Sequence, residues 1–155
     1  MLKWLNLSAL VIVFDQLSKW WANSALELYQ SIAVLPFFNI TLAYNHGAAF
    51  SFLASESGWQ RWFFTGLAVV VSIVLLFWLK RLKADAKLEA ISLALILGGA
   101  LGNVIDRVIH GYVIDFLDVY YGTYHWPAFN VADSAICIGA ILLILDSFRN
   151  KTEQK

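Results

Sequence analysis

Charge is what this sequence has least of. Of its 155 residues only 14% are Asp, Glu, Lys or Arg, against 60% that are hydrophobic. A soluble domain is charged at roughly a quarter of its positions, so lipid rather than water is expected over much of the surface. Neither sign dominates, since 11 basic residues balance 11 acidic ones. That balance leaves a nucleic-acid partner without electrostatic support. Cysteine is nearly absent too. The one cysteine, Cys137, lies in an apolar run, so neither a disulfide framework nor a cysteine zinc site is available. The three histidines, His46, His110 and His125, fall into no HExxH or other ligand spacing, which argues against a metal and leaves no cofactor implied. No Pro-, Gly- or Ser-rich stretch divides the chain, and residues 1–155 read as one integral membrane domain.

What is present is long apolar stretches. A helix crosses the hydrocarbon core in about 20 apolar residues, and four segments suit that length: about 4–22, 62–79, 88–105 and 131–148. The second carries no charge, the third only Glu89, the first Asp15 and Lys19, and the fourth Asp133 and Asp146. Lys3, the group Lys80, Arg81, Lys83 and Lys87, and the tail residues Arg149, Lys151 and Lys155 make eight of the eleven basic residues, all on one side. The bias of basic residues marks that side as cytoplasmic and puts both termini inside. Segments of about 23–61 and 106–130 then lie outside, and their aromatic residues (Phe37, Phe38, Tyr44, Trp59, Tyr120, Tyr121, Trp126) suit a lipid–water boundary. Small residues at Ala22-Asn23-Ser24 also resemble a signal-peptide cleavage site, but Asp15, Lys19 and Trp20-Trp21 oppose it, so a retained anchor is expected.

The first outer segment holds more than loop. Phe38 to Tyr44 alternates with the strand period and is rich in β-formers. Asn45-His46-Gly47 reads as a turn, after which Ala48 to Leu53 is expected to return as a partner strand in a small sheet on the membrane surface. A short interfacial helix is expected over Ser55 to Gln60.

Ionisable groups near a bilayer are costly and tend to be functional. Here Asp106, Arg107, Asp115, Asp118 and Asp133 converge on the outer boundary. Asp115 and Asp133 each sit in an apolar setting, Val113-Ile114-Asp115-Phe116 and Phe129-Asn130-Val131-Ala132-Asp133. Two carboxylates held close in a low-dielectric site share a proton. One then accepts a proton from water while the other polarises a peptide carbonyl, which is the chemistry of an aspartic protease. The plainer alternative makes Asp133 a first-turn acid favoured by the helix dipole and Asp115 a solvated loop acid. Asn130 stands three residues before Asp133, either sharing its helical face or serving as an N-cap. Asn103, Asp106 and Arg107 have helical spacing at the end of the third span. Arg107 with Asp106 reads either as a structural ion pair or as a cation for a lipid phosphate or substrate carbonyl. Asp15 and Lys19 have the spacing of an intrahelical pair, for which a structural role is favoured. Gly98, Gly99 and Gly102 suit close helix packing, and Asp118 and Asp146 look like interfacial acids with solvent nearby.

Five blocks together resemble the lipoprotein signal peptidase (signal peptidase II) family, bacterial aspartic proteases of the inner membrane. They are Asp15-Gln16-Leu17-Ser18-Lys19, Asn45-His46-Gly47-Ala48-Ala49-Phe50, Gly102-Asn103-Val104-Ile105-Asp106-Arg107, Val113 to Phe116 and Phe129 to Asp133. The resemblance implies Asp115 and Asp133 as the catalytic dyad. It implies Asn45 and Arg107 as substrate-holding residues, and Asn103, Asp106 and Asn130 as residues shaping that site. Asp15 and Lys19 fall in a motif with a structural role. The implied fold is four transmembrane helices with a small periplasmic β-cradle and a short interfacial helix. The implied activity removes the signal peptide from diacylglyceryl-modified prolipoproteins just before the lipidated cysteine, at the outer face of the bacterial inner membrane. Partners would be prolipoprotein substrates and membrane lipids, with the enzyme acting as a monomer. Rival readings are a small transporter, a non-catalytic lipid-binding module and a metalloprotease. The second span offers no relay group to a transporter, and loss of both aspartates would leave a lipid-binding module intact.

Overall fold

The computed structural model describes residues 1–47 and 58–152. Among the described residues there are four α-helices: α1 (Leu5–Ala25), α2 (Trp59–Arg81), α3 (Lys87–Ile109) and α4 (Val131–Thr152). By length and composition three of them are apolar enough to cross a membrane: α2, α3 and Val131–Arg149 of α4, with mean hydropathies of 2.4, 1.8 and 2.0. Helix α1 is 21 residues long, but Asp15, Gln16, Ser18 and Lys19 dilute its apolar character. Its side chains explain the compromise. Asp15 and Lys19 are buried, whereas Leu10, Val13, Phe14, Leu17 and Trp20 face outwards. Apolar residues outside and ions inside invert the arrangement of a water-soluble protein, and α2 and α4 show the same outward Val, Ile, Leu and Phe residues. The surface is that of a membrane protein.

Helix α3 is the centre and packs against α1, α2 and α4. Leu93 and Leu97 of α3 meet Leu75 and Leu79 of α2 in the largest apolar cluster. Without a hydrophobic force between helices in lipid, close backbone approach supplies the attraction. Three glycines on α3 permit it. A Cβ on Gly98 would lie 2.8 Å from the Ser8 carbonyl oxygen of α1, and one on Gly102 would lie 2.6 Å from Asp15 Oδ2. One on Gly99 would collide with the Ala132 carbonyl oxygen of α4. The expected packing role of these glycines is what the geometry displays.

The two segments between helices meet in one antiparallel sheet of order β1-β2-β3-β4. Its strands are β1 (Ser31–Leu35), β2 (Phe38–Asn45), β3 (Val113–Tyr121) and β4 (Tyr124–His125). The strand expected from Phe38 onward is β2. Its hairpin partner is β1, upstream across a turn at Pro36-Phe37, and β3 flanks its other side. Ala48 to Leu53 lies outside the described residues, as do Ser55 to Ser57 of the expected interfacial helix, while Trp59 and Gln60 belong to α2. Between Ile40 and Ala43 the β2–β3 register shifts by one residue. A bulge of this kind re-aims side chains. Here it sets Asn39 and Thr41 beside Asp118, and Asn45 beside Asp115.

Replacing Gly99 by alanine forces α3 from α4 and is expected to lower the detergent-solubilised melting temperature, at a cost of about 2 kcal/mol or more. Gly66→Ala on α2, where nothing lies within 4 Å of the new methyl, is expected to melt at or above the wild-type temperature. Equal losses for both would sink this account of the packing.

Candidate active site

The Lys19 ammonium is deeply buried, with the residue 1% exposed. It makes two hydrogen bonds, to Asp15 and Asn103, and a second ion pair with Asp106. Nζ lies 2.8 Å from Asp15 Oδ2, 2.9 Å from Asp106 Oδ2 and 2.9 Å from Asn103 Oδ1. The intrahelical Asp15–Lys19 pair is therefore present, and Asp106 belongs to it. Arg107 is not the ion-pair partner of Asp106 among these contacts. Both carboxylates also organise backbone. Asp15 Oδ1 accepts the Ala132 N–H at 2.8 Å, placing an anion at the N-terminus of α4. Asp106 Oδ2 accepts the Ile114 N–H at 3.0 Å and fixes the start of β3. Gln16, given no role in the sequence reading beyond its place in a motif, donates to Asp106 Oδ1 at 2.8 Å and to the Gly102 carbonyl at 3.2 Å.

This frame presents the two aspartates singled out from the sequence. Asp115 is in β3, paired with Ala43 of β2, and is buried. Asp133 is in the first turn of α4 and half-buried. Asn130 caps that helix: its Oδ1 accepts the Asp133 N–H at 2.9 Å, while Asp133 Oδ2 accepts the Asn130 N–H at 3.3 Å. The exchange is a capping box, with an aspartate in place of the usual Glu or Gln. The capping and shared-site readings of Asn130 thus coincide, because its Nδ2 also donates to Asp115 Oδ1 at 2.7 Å. Asn103 Nδ2 donates to Asp133 Oδ1 at 2.8 Å, and Asn45 Nδ2 to Asp115 Oδ2 at 3.1 Å. Three asparagines from α3, β2 and the α4 cap therefore embrace one pair of carboxylates.

Arg107 stands at the rim. Its Nη2 donates to the Gly47 carbonyl at 3.1 Å, and its guanidinium lies 5.8 Å from the Phe64 ring centre. Asn45 Oδ1 accepts the Gly47 N–H at 3.0 Å, which bends the chain where a turn was expected. An apolar cavity of about 400 Å³ opens beside the pair, with Asn45, Trp126, Phe129, Asp133, Ile136 and Cys137 in its wall. Two acids differ from expectation. Asp118 is buried rather than solvated, holding Asn39, Thr41 and His125, the last at 2.8 Å. Asp146 is buried as well and pairs with Arg149 at 3.2 Å. The β-rich partners of Asp118 gave a signal in Asn39-Ile40-Thr41, whose polar side chains alternate within a strand pattern.

Burial pushes the Asp115 carboxyl up to about 7, and the Asp133 charge adds to the effect, while hydrogen bonds from Asn45 and Asn130 and the charge of Lys19 oppose it. A folded-state value above the ordinary one means that stability falls as pH rises from about 4 to 7 and levels off above. Asp115→Asn removes that loss. The variant is expected to melt higher than wild type at pH 8, by on the order of 3–4 kcal/mol at most, with the advantage vanishing by pH 4. A pH-independent difference would contradict the burial assigned to Asp115.

Known proteins resemble the chain over nearly its whole length. The model of the family described as signal peptidase (SPase) II matches residues 7–149. The lipoprotein signal peptidase of Alteromonas mediterranea is 61% identical, with 96% of this chain and 82% of that protein covered. That of Vibrio cholerae serotype O1 is 54% identical, covering 97% and 89%. A solved bacterial membrane enzyme is 34% identical and superposes with a TM-score of 0.87, covering 99% of this chain and 92% of the other. Sequence family and architecture agree, and the chain belongs to the signal peptidase II family of aspartic endopeptidases.

Proposed function

We propose that this protein removes the signal peptide from diacylglyceryl-modified prolipoproteins, cutting before the lipidated cysteine with Asp115 and Asp133 as its acid–base pair. The observation that carries this reading is the pair itself. Two carboxylates are both held by Asn130, Asp115 by its side chain and Asp133 by its backbone N–H; they lie within each other's field, and Asp133 borders an apolar cavity. Asp115, whose proton persists to about pH 7, is the acid that protonates the scissile carbonyl oxygen. Asp133, at the cavity wall and supplied with N–H donors, is the base that takes a proton from the attacking water. Collapse of the tetrahedral intermediate then returns a proton to the departing amine of the cysteine. Asn45 and Arg107 at the rim are suited to hold the substrate backbone. Asn103 and Asn130 shape the pair by bonding to it and to each other, and Asp106 by fixing the start of β3. The acyl chains of the substrate find an apolar surface in the cavity beside Asp133.

The topology that fits this role has four spans, α1 included, in one domain of residues 1–155 acting as a monomer in the bacterial inner membrane. Both termini would face the cytoplasm and the sheet the periplasm. Support comes from the basic residues gathered near the α2–α3 connection and the end of α4, and from an α1 whose ions point inward and whose apolar residues point outward. The sheet lies with the other polar ends of the helices, around the candidate pair.

Cleavage of a diacylglyceryl-modified prolipoprotein in detergent tests the chemistry. Asp115→Asn and Asp133→Asn are each expected to fold and to lose about 10³-fold or more in rate; near-normal cutting by either would remove it from the pair. For the topology, Asp85→Cys and Thr123→Cys in a Cys137→Ser background are expected to react with an impermeant thiol reagent from opposite sides of the membrane. Labelling from the same side would refute the four-span arrangement.

A further inference from the structure

Arg61, in the first turn of α2, is a half-buried cation that forms no ion pair among the described residues. Arg107, by contrast, stands in the field of Asp133, Asp115 and Asp106. The Arg61 guanidinium is nonetheless held in place. Its Nη2 donates to the Val108 carbonyl at 2.8 Å, in the last turn of α3, and its central carbon lies 4.7 Å from the middle of the Trp62 ring. Gly111, at φ +88°, leaves room beside it, since a Cβ there would stand 3.4 Å from Nη1. A guanidinium carries five N–H donors, and Nε–H, shielded from solvent, has no hydrogen-bond partner among the described residues. A cation fixed in this way and denied a counter-ion is costly until an anion arrives from outside the chain.

The surroundings of Arg61 favour that anion. A cavity of about 520 Å³ is lined by Arg61, Trp62, Gln60, His46, His110 and Gly111, and no carboxylate lines it among the described residues. One neighbour sets both histidines: the His110 ring stacks on Tyr112 with centres 5.8 Å apart, and the His46 ring meets Tyr112 edge-on at 5.4 Å. Either tautomer of an imidazole offers an N–H donor. Depth in the membrane narrows the choice of anion. Trp59 and Trp62 are exposed beside the cavity, as in the aromatic belt at headgroup level, where phosphate is the abundant anion. Trp62, Val69 and Ile73, all exposed, follow at i, i+7 and i+11 and continue an apolar stripe along α2 from the cavity. We infer that this cavity is a lipid-phosphate site, in which Arg61, His46 and His110 hold the headgroup of an anionic phospholipid whose acyl chain lies on that stripe. The membrane itself then supplies the counter-ion, and the site is independent of the cleavage reaction.

Purified protein in detergent is titrated with phosphatidylglycerol, and bound lipid is counted by native mass spectrometry. Arg61→Gln is expected to weaken the tightest binding about tenfold or more. Lys83→Gln, which removes one charge from the basic group at the other end of α2, is expected to leave it unchanged. Wild-type affinity in Arg61→Gln would overturn the proposal, and so would equal losses in both variants, which mean unspecific attraction between charges. Diacylglycerol with the same acyl chains lacks the phosphate and is expected to bind wild type about tenfold more weakly; equal binding overturns the site as well. Displacement of the lipid by millimolar inorganic phosphate would assign the cavity to a free anion instead, and would overturn the lipid. Should Arg61→Gln fail to fold, His46→Leu with His110→Leu decides, because it keeps the cation and removes the imidazole donors. Unchanged phosphatidylglycerol affinity in that variant overturns the proposal equally.

Discussion

The Lys19 ammonium is the point on which the upper half of this molecule is hung. One buried cation joins α1 to α3 through Asp106 and Asn103. Its intrahelical partner Asp15 extends the link to α4 by capping the Ala132 N–H. Asp106 extends it to the sheet through Ile114. Burying such ions is costly unless every donor and acceptor is met. Here the ammonium has two hydrogen bonds and two carboxylate partners, and the carboxylates take backbone N–H groups as well. A buried ion cluster of this kind specifies arrangement more than it adds stability. It dictates which turn of α1 faces which turn of α3, and lipid alone would leave that register loose.

From that anchor the two aspartates are reached by secondary-structure rules rather than by special geometry. Asp133 is the third residue of a helix whose cap, Asn130, exchanges hydrogen bonds with it. Such a box fixes the rotamer of the acid and the entry of the chain together. Asp115 stands on a strand whose start is fixed by Asp106 and whose neighbour carries a bulge, so that Asn45 reaches it diagonally. The same bulge leaves Asn39 and Thr41 to Asp118. One extra residue in β2 therefore serves two acids that stand three positions apart on β3.

Much of this was legible in the sequence, for identifiable reasons. Helix α2 announced itself because nothing polar interrupts its apolar run, and Asp15 with Lys19 because helical spacing alone brings them together. Family membership and the grouping of acids at one boundary followed from short blocks in order. What was not legible depends on partners distant in sequence. Strand β3 was hidden because Asp115 and Asp118 break the apolar pattern of Val113 to Tyr121, and their burial is decided by Asn130, Asn39, Thr41 and His125. The hairpin pairing of β2 with β1 was not legible, because it depends on the Pro36-Phe37 turn and on an upstream strand whose residues are all exposed. An Asp106–Arg107 pair stayed open beside a binding role for Arg107, because only the fold shows that Asp106 goes to Lys19.

The cavity adds a constraint on where the chemistry can run. Asp133 borders an apolar wall formed by Trp126, Phe129, Ile136 and Cys137, whereas Asp115 is enclosed by protein. In an empty cavity one face of the pair is open to whatever fills that space. On the proposed function, the acyl chains of the substrate fill it and exclude water from that face. Fields between the carboxylates, Arg107 and the developing charge on the scissile carbonyl then strengthen as the local dielectric falls. A substrate without lipid would reach the same residues but leave the wall wet. The lipid requirement would then appear in kcat as well as in binding, because the modification helps to complete the low-dielectric site on which the shared proton depends.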